Sequence, residues 1–165
     1  MYAHMHDKKI YLTVNTLLSD RELENDLFPL IAPLYEAGLD ACIVQDLGVL
    51  SFLHENFPQM DLHASTQMSI HNLAGVEAAA EMGITRAVLA RELSLEQIRF
   101  ISQHASIETE VFVHGALCFC HSGQCYMSAV LGQRSGNRGL CAQPCRLPCK
   151  AGNSEHALSL KDMSI

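Results

Sequence analysis

Six of the seven cysteines in this 165-residue chain fall in one stretch, as Cys118, Cys120, Cys125, Cys141, Cys145 and Cys149; only Cys42 precedes it. Thiolates gathered beside glycines and an arginine-rich loop suit soft-metal or iron–sulfur ligation. Tetrahedral zinc uses the same donor type, so zinc and a cluster both fit four of them. Cys141 and Cys145 would lie one turn apart on a helix, and Gly123 permits a tight return between Cys118 and Cys125. A disulfide framework is the rival reading. Such frameworks belong to small secreted domains without a core, whereas this chain has ample apolar sequence and begins MYAHMHDKK, with no hydrophobic leader segment. Cys42 lies in an apolar run and reads as a small core residue.

Proteolysis would require a nucleophile with a base, or a metal with an open position. Neither HExxH nor GxSxG occurs in the sequence. A cysteine with His114 or His121 is the remaining thiol–imidazole candidate. His63 and His71 read as ordinary hydrogen-bonded or exposed histidines.

The net charge of −7 argues against indiscriminate binding to nucleic acid through phosphate neutralisation. The cysteine segment departs from that average. Between Cys125 and Lys150 the charged residues are Arg134, Arg138, Arg146 and Lys150, with no acid among them. Arg138 and Arg146 read either as a cationic rim for an anionic substrate or as partners of the segment's own carbonyls and acids. No apolar run approaches the roughly 20 residues that span a bilayer, and a cytoplasmic location is expected.

The elements that must position these residues alternate strand and helix. Strands are predicted at residues 9–14, 41–45, 61–65, 86–90 and 109–113. Ser19 with Glu22, and Ser94 with Gln97, have the spacing of capping boxes. Leu23, Leu27, Leu30, Ile31 and Leu34 recur at helical spacing, with a kink or early break expected at Pro33. Helices are also expected over 49–56 and 73–82. Glu36–Ala41 and Glu81–Arg86 echo one another as the same helix-to-strand turn, with Gly38 and Gly83 as stops.

Strands buried on both faces and separated by helices imply a parallel α/β sheet with right-handed crossovers. Doubly wound and TIM-barrel versions both fit. No glycine-rich phosphate fingerprint follows a strand. The strands end instead in polar residues, Asn15, Gln67, Arg91, Glu92, Glu110 and His114 among them, as the active-site face of a barrel requires. The expectation is part of a (β/α)8 TIM barrel over residues 1–116, a Cys-rich segment over 117–150, and the start of a following element over 151–165. Five units cannot close eight, so an excised piece of a longer protein is expected, self-associating through exposed strand edges. Glu110, His114, Arg91 and Glu92 are the candidate catalytic residues, Glu110 alternatively being ion-paired to Arg91 or Arg138. Asn15, Gln67, Arg138 and Arg146 are the candidate substrate-binding residues.

Glu110-x-Phe112-x-x-Gly115-Ala116-Leu117-Cys118, Ser122-Gly123-Gln124-Cys125-x-x-Ser128 and Asn137-Arg138-Gly139-x-Cys141-Ala142-Gln143-Pro144-Cys145-Arg146 closely resemble the peptidase U32 family. Thr13-Val14-Asn15-Thr16, Ser65-Thr66-Gln67 and Val88–Ser94 extend the resemblance to essentially the whole chain. Members of that family are described as collagenase-like proteases, or as proteins needed for oxygen-independent hydroxylation of ribosomal RNA, transfer RNA or ubiquinone precursors. Several carry a [4Fe–4S] cluster. The resemblance implies that Cys118, Cys125 and Cys141 are cluster ligands, with Cys145 the candidate fourth; Cys120 and Cys149 lie outside the pattern. Such a cluster is expected to be lost from this piece when handled in air.

Three functions follow as expectations. The first is Fe–S-dependent hydroxylation of RNA or a quinone-like precursor. The second is peptidase activity on a peptide substrate. The third is a binding module in which metal-bound cysteines only fasten the segment to the body.

Overall fold

The computed structural model describes residues 2–116, 118–148 and 160. Cys149 and nearly all of the element expected over 151–165 lie outside the described residues. Five strands, β1 (Tyr11–Val14), β2 (Ala41–Val44), β3 (Asp61–Ala64), β4 (Arg86–Val88) and β5 (Glu108–Glu110), form one sheet in the order β1-β2-β3-β4-β5. Every neighbouring pair is parallel. The order never reverses, so right-handed crossovers place every connecting helix on the same face.

Those helices are α1 (Asp20–Glu22), running through a π turn at Leu23–Leu27 into α2 (Phe28–Glu36), then α3 (Leu47–Asn56), α4 (Leu73–Glu81) and α5 (Leu95–His104). The short α6 (Met127–Gly132) lies beyond the sheet, among the cysteines. Both capping boxes form: Ser19 with Glu22, and Ser94 with Gln97. Asp46 caps α3, accepting from Gly48 and Val49, while its other oxygen accepts Leu18 N–H at 3.1 Å. That carboxylate fastens the end of β1 to the start of α3. Pro33 does not end its helix, which continues to Glu36. The irregularity lies one turn upstream, in the π turn, where Pro29 has no N–H to give the preceding carbonyls.

The repeated helix-to-strand turn is the same device twice. Gly38 at φ +91° and Gly83 at φ +92° stand at C′. Leu39 N–H reaches Leu34 C=O, and Ile84 N–H reaches Ala79 C=O, which are Schellman closures. Leu39 and Ile84 are then buried, so each turn delivers the chain to its strand already packed.

Register separates the two faces of the sheet. Cys42, Leu62, Val44, Ala64 and Ala87 point to the helices and are buried with Ile31, Val49, Leu53, Val76 and Ile101. Thr109 shares this face, its hydroxyl lying 2.9 Å from that of Ser102 on α5. The opposite face carries Thr13, Ile43, His63, Arg86 and Glu108 at one level. There Arg86 is bonded to Glu108 at 2.8 and 2.6 Å and lies over the Tyr11 ring, which packs edge-on against His63.

β5 ends at Glu110, earlier than expected. Its last ladder bond is Leu89 N–H to Glu110 C=O, and Phe112 and Val113, with no strand beside them among the described residues, are 64% and 92% exposed. Likewise β4 stops at Val88, because Ala90 N–H turns to Ile70 C=O.

His63 is 3% exposed and its Nδ1 has no hydrogen-bond partner among the described residues. Burial first, and the Arg86 charge second, hold the imidazole below its ordinary range. Above about pH 6.5 it is neutral in both folded and unfolded chains. Below that value the unfolded chain takes up a proton that the folded chain refuses, so stability is lost as pH falls. Urea unfolding at two pH values either side of 6.5 is expected to show a shallower pH slope for His63→Gln than for the wild type. An unchanged slope would remove His63 as the cause.

Candidate functional site

The strand C-termini open onto a cavity of about 600 Å³. Its walls come from two sources. Thr66, Gln67 and Arg91 belong to the ends of β3 and β4; Phe112 to Ala116, Cys118 to His121, Gly123, Cys125, Met127, Ser128, Gly136, Asn137, Cys141, Pro144 and Cys145 belong to the segment that follows β5. Cys118, Cys125, Cys141 and Cys145, dispersed over 28 positions, therefore share one cavity with Cys120. All five are free thiols. Cys120 is pushed up to about 11, first by burial and then by a hydrogen bond and charge from Cys125, with Cys145 and Cys118 adding to it. Sequence spacing alone gave Cys120 no place among them.

One serine holds this segment to the sheet. Ser122 is 1% exposed. Its N–H and hydroxyl donate to Glu92 Oε1 at 2.6 and 3.1 Å, and its hydroxyl accepts from Arg91 Nε and Nη2 at 3.3 and 3.1 Å. Its carbonyl accepts from the Ser69 hydroxyl. Burial alone would raise the Glu92 carboxyl, but hydrogen bonds from its own backbone and from Ser122, with the Arg91 charge, outweigh it and hold it below its usual range. Next in sequence, Gly123 has φ +74°, and a Cβ there would meet the Gln67 carbonyl oxygen at 2.0 Å. Only glycine lets the two backbones pass so closely.

A second set of contacts ties down the distal half. Asn137 C=O accepts from Leu17 N–H at 2.9 Å and from Gln45 Nε2 at 3.3 Å. Arg138 pairs with Glu22 at 2.5 and 2.9 Å and also donates to Leu17 C=O. That pairing holds Glu22, the capping-box acid, well below the usual carboxylate range. Buried Ser128 accepts Ala142 N–H at 2.8 Å, placing the turn that carries Cys141. The segment is thus bonded to the β1–β2 end of the sheet and to the β3–β4 end at once.

The residues expected from strand ends divide in two. Gln67, Arg91 and His114 line the cavity. Glu92 faces Ser122, and Asn15 donates to Ser65 at 3.5 Å. Glu110 is turned to Arg86 at 3.4 Å, so its partner is neither Arg91 nor Arg138. Arg138 serves Glu22, and Arg146 closes the short turn Pro144–Arg146 that bears Cys145. Ser122 and Ser128 escaped notice as anchors because their partners are remote in sequence; their own motif positions were the only signal.

For this sheet with its cysteine-lined cavity, the comparisons with known proteins give the family. Peptidase family U32 matches residues 1–165, and the chain belongs to that family. It is 45% identical over 169 residues to the 23S rRNA 5-hydroxycytidine C2501 synthase of Escherichia coli, covering 98% of this chain and 25% of that protein. It is 41% identical to tRNA hydroxylation protein P of E. coli, over 87% of this chain and 32% of that one. A protein of Porphyromonas gingivalis named collagenase is 32% identical, over 92% and 38%. The chain thus spans roughly a quarter to two-fifths of the length of these relatives. A solved U32 peptidase structure superposes with a TM-score of 0.52 at 14% identity, covering 67% of this chain and 47% of that one, and shares the fold.

Proposed function

We propose that this chain is the cluster-bearing part of an enzyme that hydroxylates a base in RNA, its five strands being five of the eight in a (β/α)8 barrel. The sequential strand order with helices on one face supports the barrel. One observation carries the rest: Cys118, Cys125, Cys141 and Cys145 line one cavity at the strand C-termini, together with Gln67, Arg91 and His114. Relatives at 45% and 41% identity are named for hydroxylation of ribosomal and transfer RNA.

The donor set fits a [4Fe–4S] cluster, since four thiolates from one segment are what such a cluster takes. Cys118, Cys125, Cys141 and Cys145 would hold it, and it would supply one-electron redox chemistry. The chain's own residues prepare the rest of the site. Gln67 and His114 offer hydrogen-bonding groups for the edge of an unstacked base. Phe112, 64% exposed in the cavity wall, offers a face for stacking. Arg91 spends Nε and Nη2 on Ser122, so it fixes the segment and keeps its charge at the wall. Recognition through a base suits a chain of net charge −7 better than a broad phosphate-binding face would.

Two measurements test this. The full-length protein prepared without oxygen is expected to contain iron and acid-labile sulfide in equal amounts. Nucleosides from ribosomal and transfer RNA of cells lacking the gene are expected to lack one hydroxylated pyrimidine, restored by the wild-type gene and not by a Cys125→Ser copy. An unchanged nucleoside profile would reject RNA as the substrate, and protein free of iron would reject the cluster.

A further inference from the structure

Next to the cysteine cavity lies a second group of metal-ligating side chains, of different chemistry. We infer that His71, Glu92 and His121 form a mononuclear site for a divalent transition ion. Their ligand atoms lie within 4.8 Å of one another.

The hydrogen bonds around the group argue for a cation. His71 Nδ1 is 2.5 Å from the Ser69 carbonyl oxygen. A carbonyl can only accept, so Nδ1 carries the proton, and in the neutral imidazole Nε2 then presents a lone pair. A metal-ligating histidine holds its second nitrogen in the same way. Nε2 faces Glu92 Oε2 at 3.6 Å. The Glu92 side chain is 11% exposed, and Oε2 is buried without a hydrogen-bond partner among the described residues. With Nε2 unprotonated, two acceptors confront one another, too far apart for a hydrogen bond, and the carboxylate oxygen of the pair is shielded from water.

The separation is close to the roughly 3.4 Å between two donor atoms on a tetrahedral zinc ion with bonds of about 2.1 Å. The other oxygen, Oε1, is held by Ser122 N–H and hydroxyl, which fixes the direction in which Oε2 points. His121 precedes Ser122 in the chain, so the bond that aims Glu92 also brings in the third ligand. Its ring lies 6.3 Å from that of His71, and being exposed it is free to turn inward.

Two imidazoles and one carboxylate suit zinc, cobalt or ferrous iron, and differ from the soft thiolate set beside them. Three protein ligands leave positions for water or a substrate oxygen. His121 also lines the cysteine cavity, so the ion stands at its edge. The inference does not depend on which substrate the cavity takes.

Cobalt(II) titration of the full-length protein, prepared without oxygen, tests the site. A single equivalent is expected to bind with ligand-field absorption and no thiolate-to-cobalt charge-transfer band. His71→Gln and His121→Gln are expected to weaken that binding by at least tenfold, and Glu92→Gln likewise, with circular dichroism unchanged. Ser122→Ala, which loses one of the bonds aiming Glu92, is expected to weaken it by roughly tenfold. Cys42→Ala, in the core away from the cavity, is expected to leave it as it was. Cobalt bound only with a thiolate band, or binding unaltered in His71→Gln, would overturn the site. So would wild-type protein that binds no cobalt while a pH titration shows His71 carrying a second proton, since a proton would then bridge the pair.

Discussion

Replacing Gly123 with alanine is expected to detach the cysteine segment from the sheet. Two costs combine at this position. A φ of +74° strains any residue with a Cβ, at about 1 kcal/mol. The new methyl would also stand 2.0 Å from the Gln67 carbonyl oxygen and 2.8 Å from its carbon, which are backbone atoms of the turn after β3 and cannot swing aside. Relief requires the segment to back away, which pulls Ser122 from Arg91 and Glu92 and leaves buried polar groups unpaired at about 1–3 kcal/mol each. A total loss of several kcal/mol is expected in urea unfolding. Gly132, where an added Cβ meets nothing within 4 Å, is the control: Gly132→Ala is expected to be near neutral. Equal effects of the two changes would show that the close approach at Gln67 does not hold the segment.

Single serine replacements at Cys118, Cys125, Cys141 and Cys145 are each expected to remove iron and sulfide almost completely from anaerobically prepared full-length protein. A cluster missing one thiolate is not three-quarters bound, because binding and ordering of the site are coupled. Cys120 and Cys42 supply the contrast. Burial and its neighbours push the Cys120 thiol up to about 11, and burial pushes Cys42 up to about 12. Cys120 also lies outside the cysteine pattern of the family resemblance, and Cys42 is buried in the core away from the cavity. Cys120→Ser and Cys42→Ala are therefore expected to keep the metal. Iron retained in all four ligand variants, or lost from Cys120→Ser, would redraw the ligand set.

The sheet was legible because its signals are local. The apolar run at residues 41–44, both capping boxes, and the glycine stops at Gly38 and Gly83 each depend on a few consecutive residues. The ends of β4 and β5 were not, since where a strand stops depends on whether a neighbour is there to pair with it. The same division runs through the site. The cysteines and the cavity-lining Gln67, Arg91 and His114 could be named from type and position. Arg138 could not be assigned to Glu22, nor Glu110 to Arg86, because a charged side chain chooses its partner in three dimensions. His71 and His121 illustrate this best. In sequence His71 reads as an ordinary histidine and His121 as a thiol–imidazole candidate, and only the turn after β3 and the docked Ser122 loop bring them to Glu92.

The two-ended attachment of the cysteine segment also fixes when the cavity can exist. Glu22 with Arg138 and Gln45 with Asn137 join residues 116 and 92 positions apart, whereas Glu92 with Ser122 spans 30. Closing the longer loops costs more chain entropy and yields nothing until β1 and β2 are already in place. Assembly therefore has an order: sheet first, then the Ser122 latch, then the clasp at Asn137 and Arg138. On a ribosome the clasp must await the emergence of Arg138, long after the strands it grips have left the tunnel. The cavity is expected to be a late product of folding, and whatever metal it receives to be delivered to a chain in which β1 to β5 are already paired.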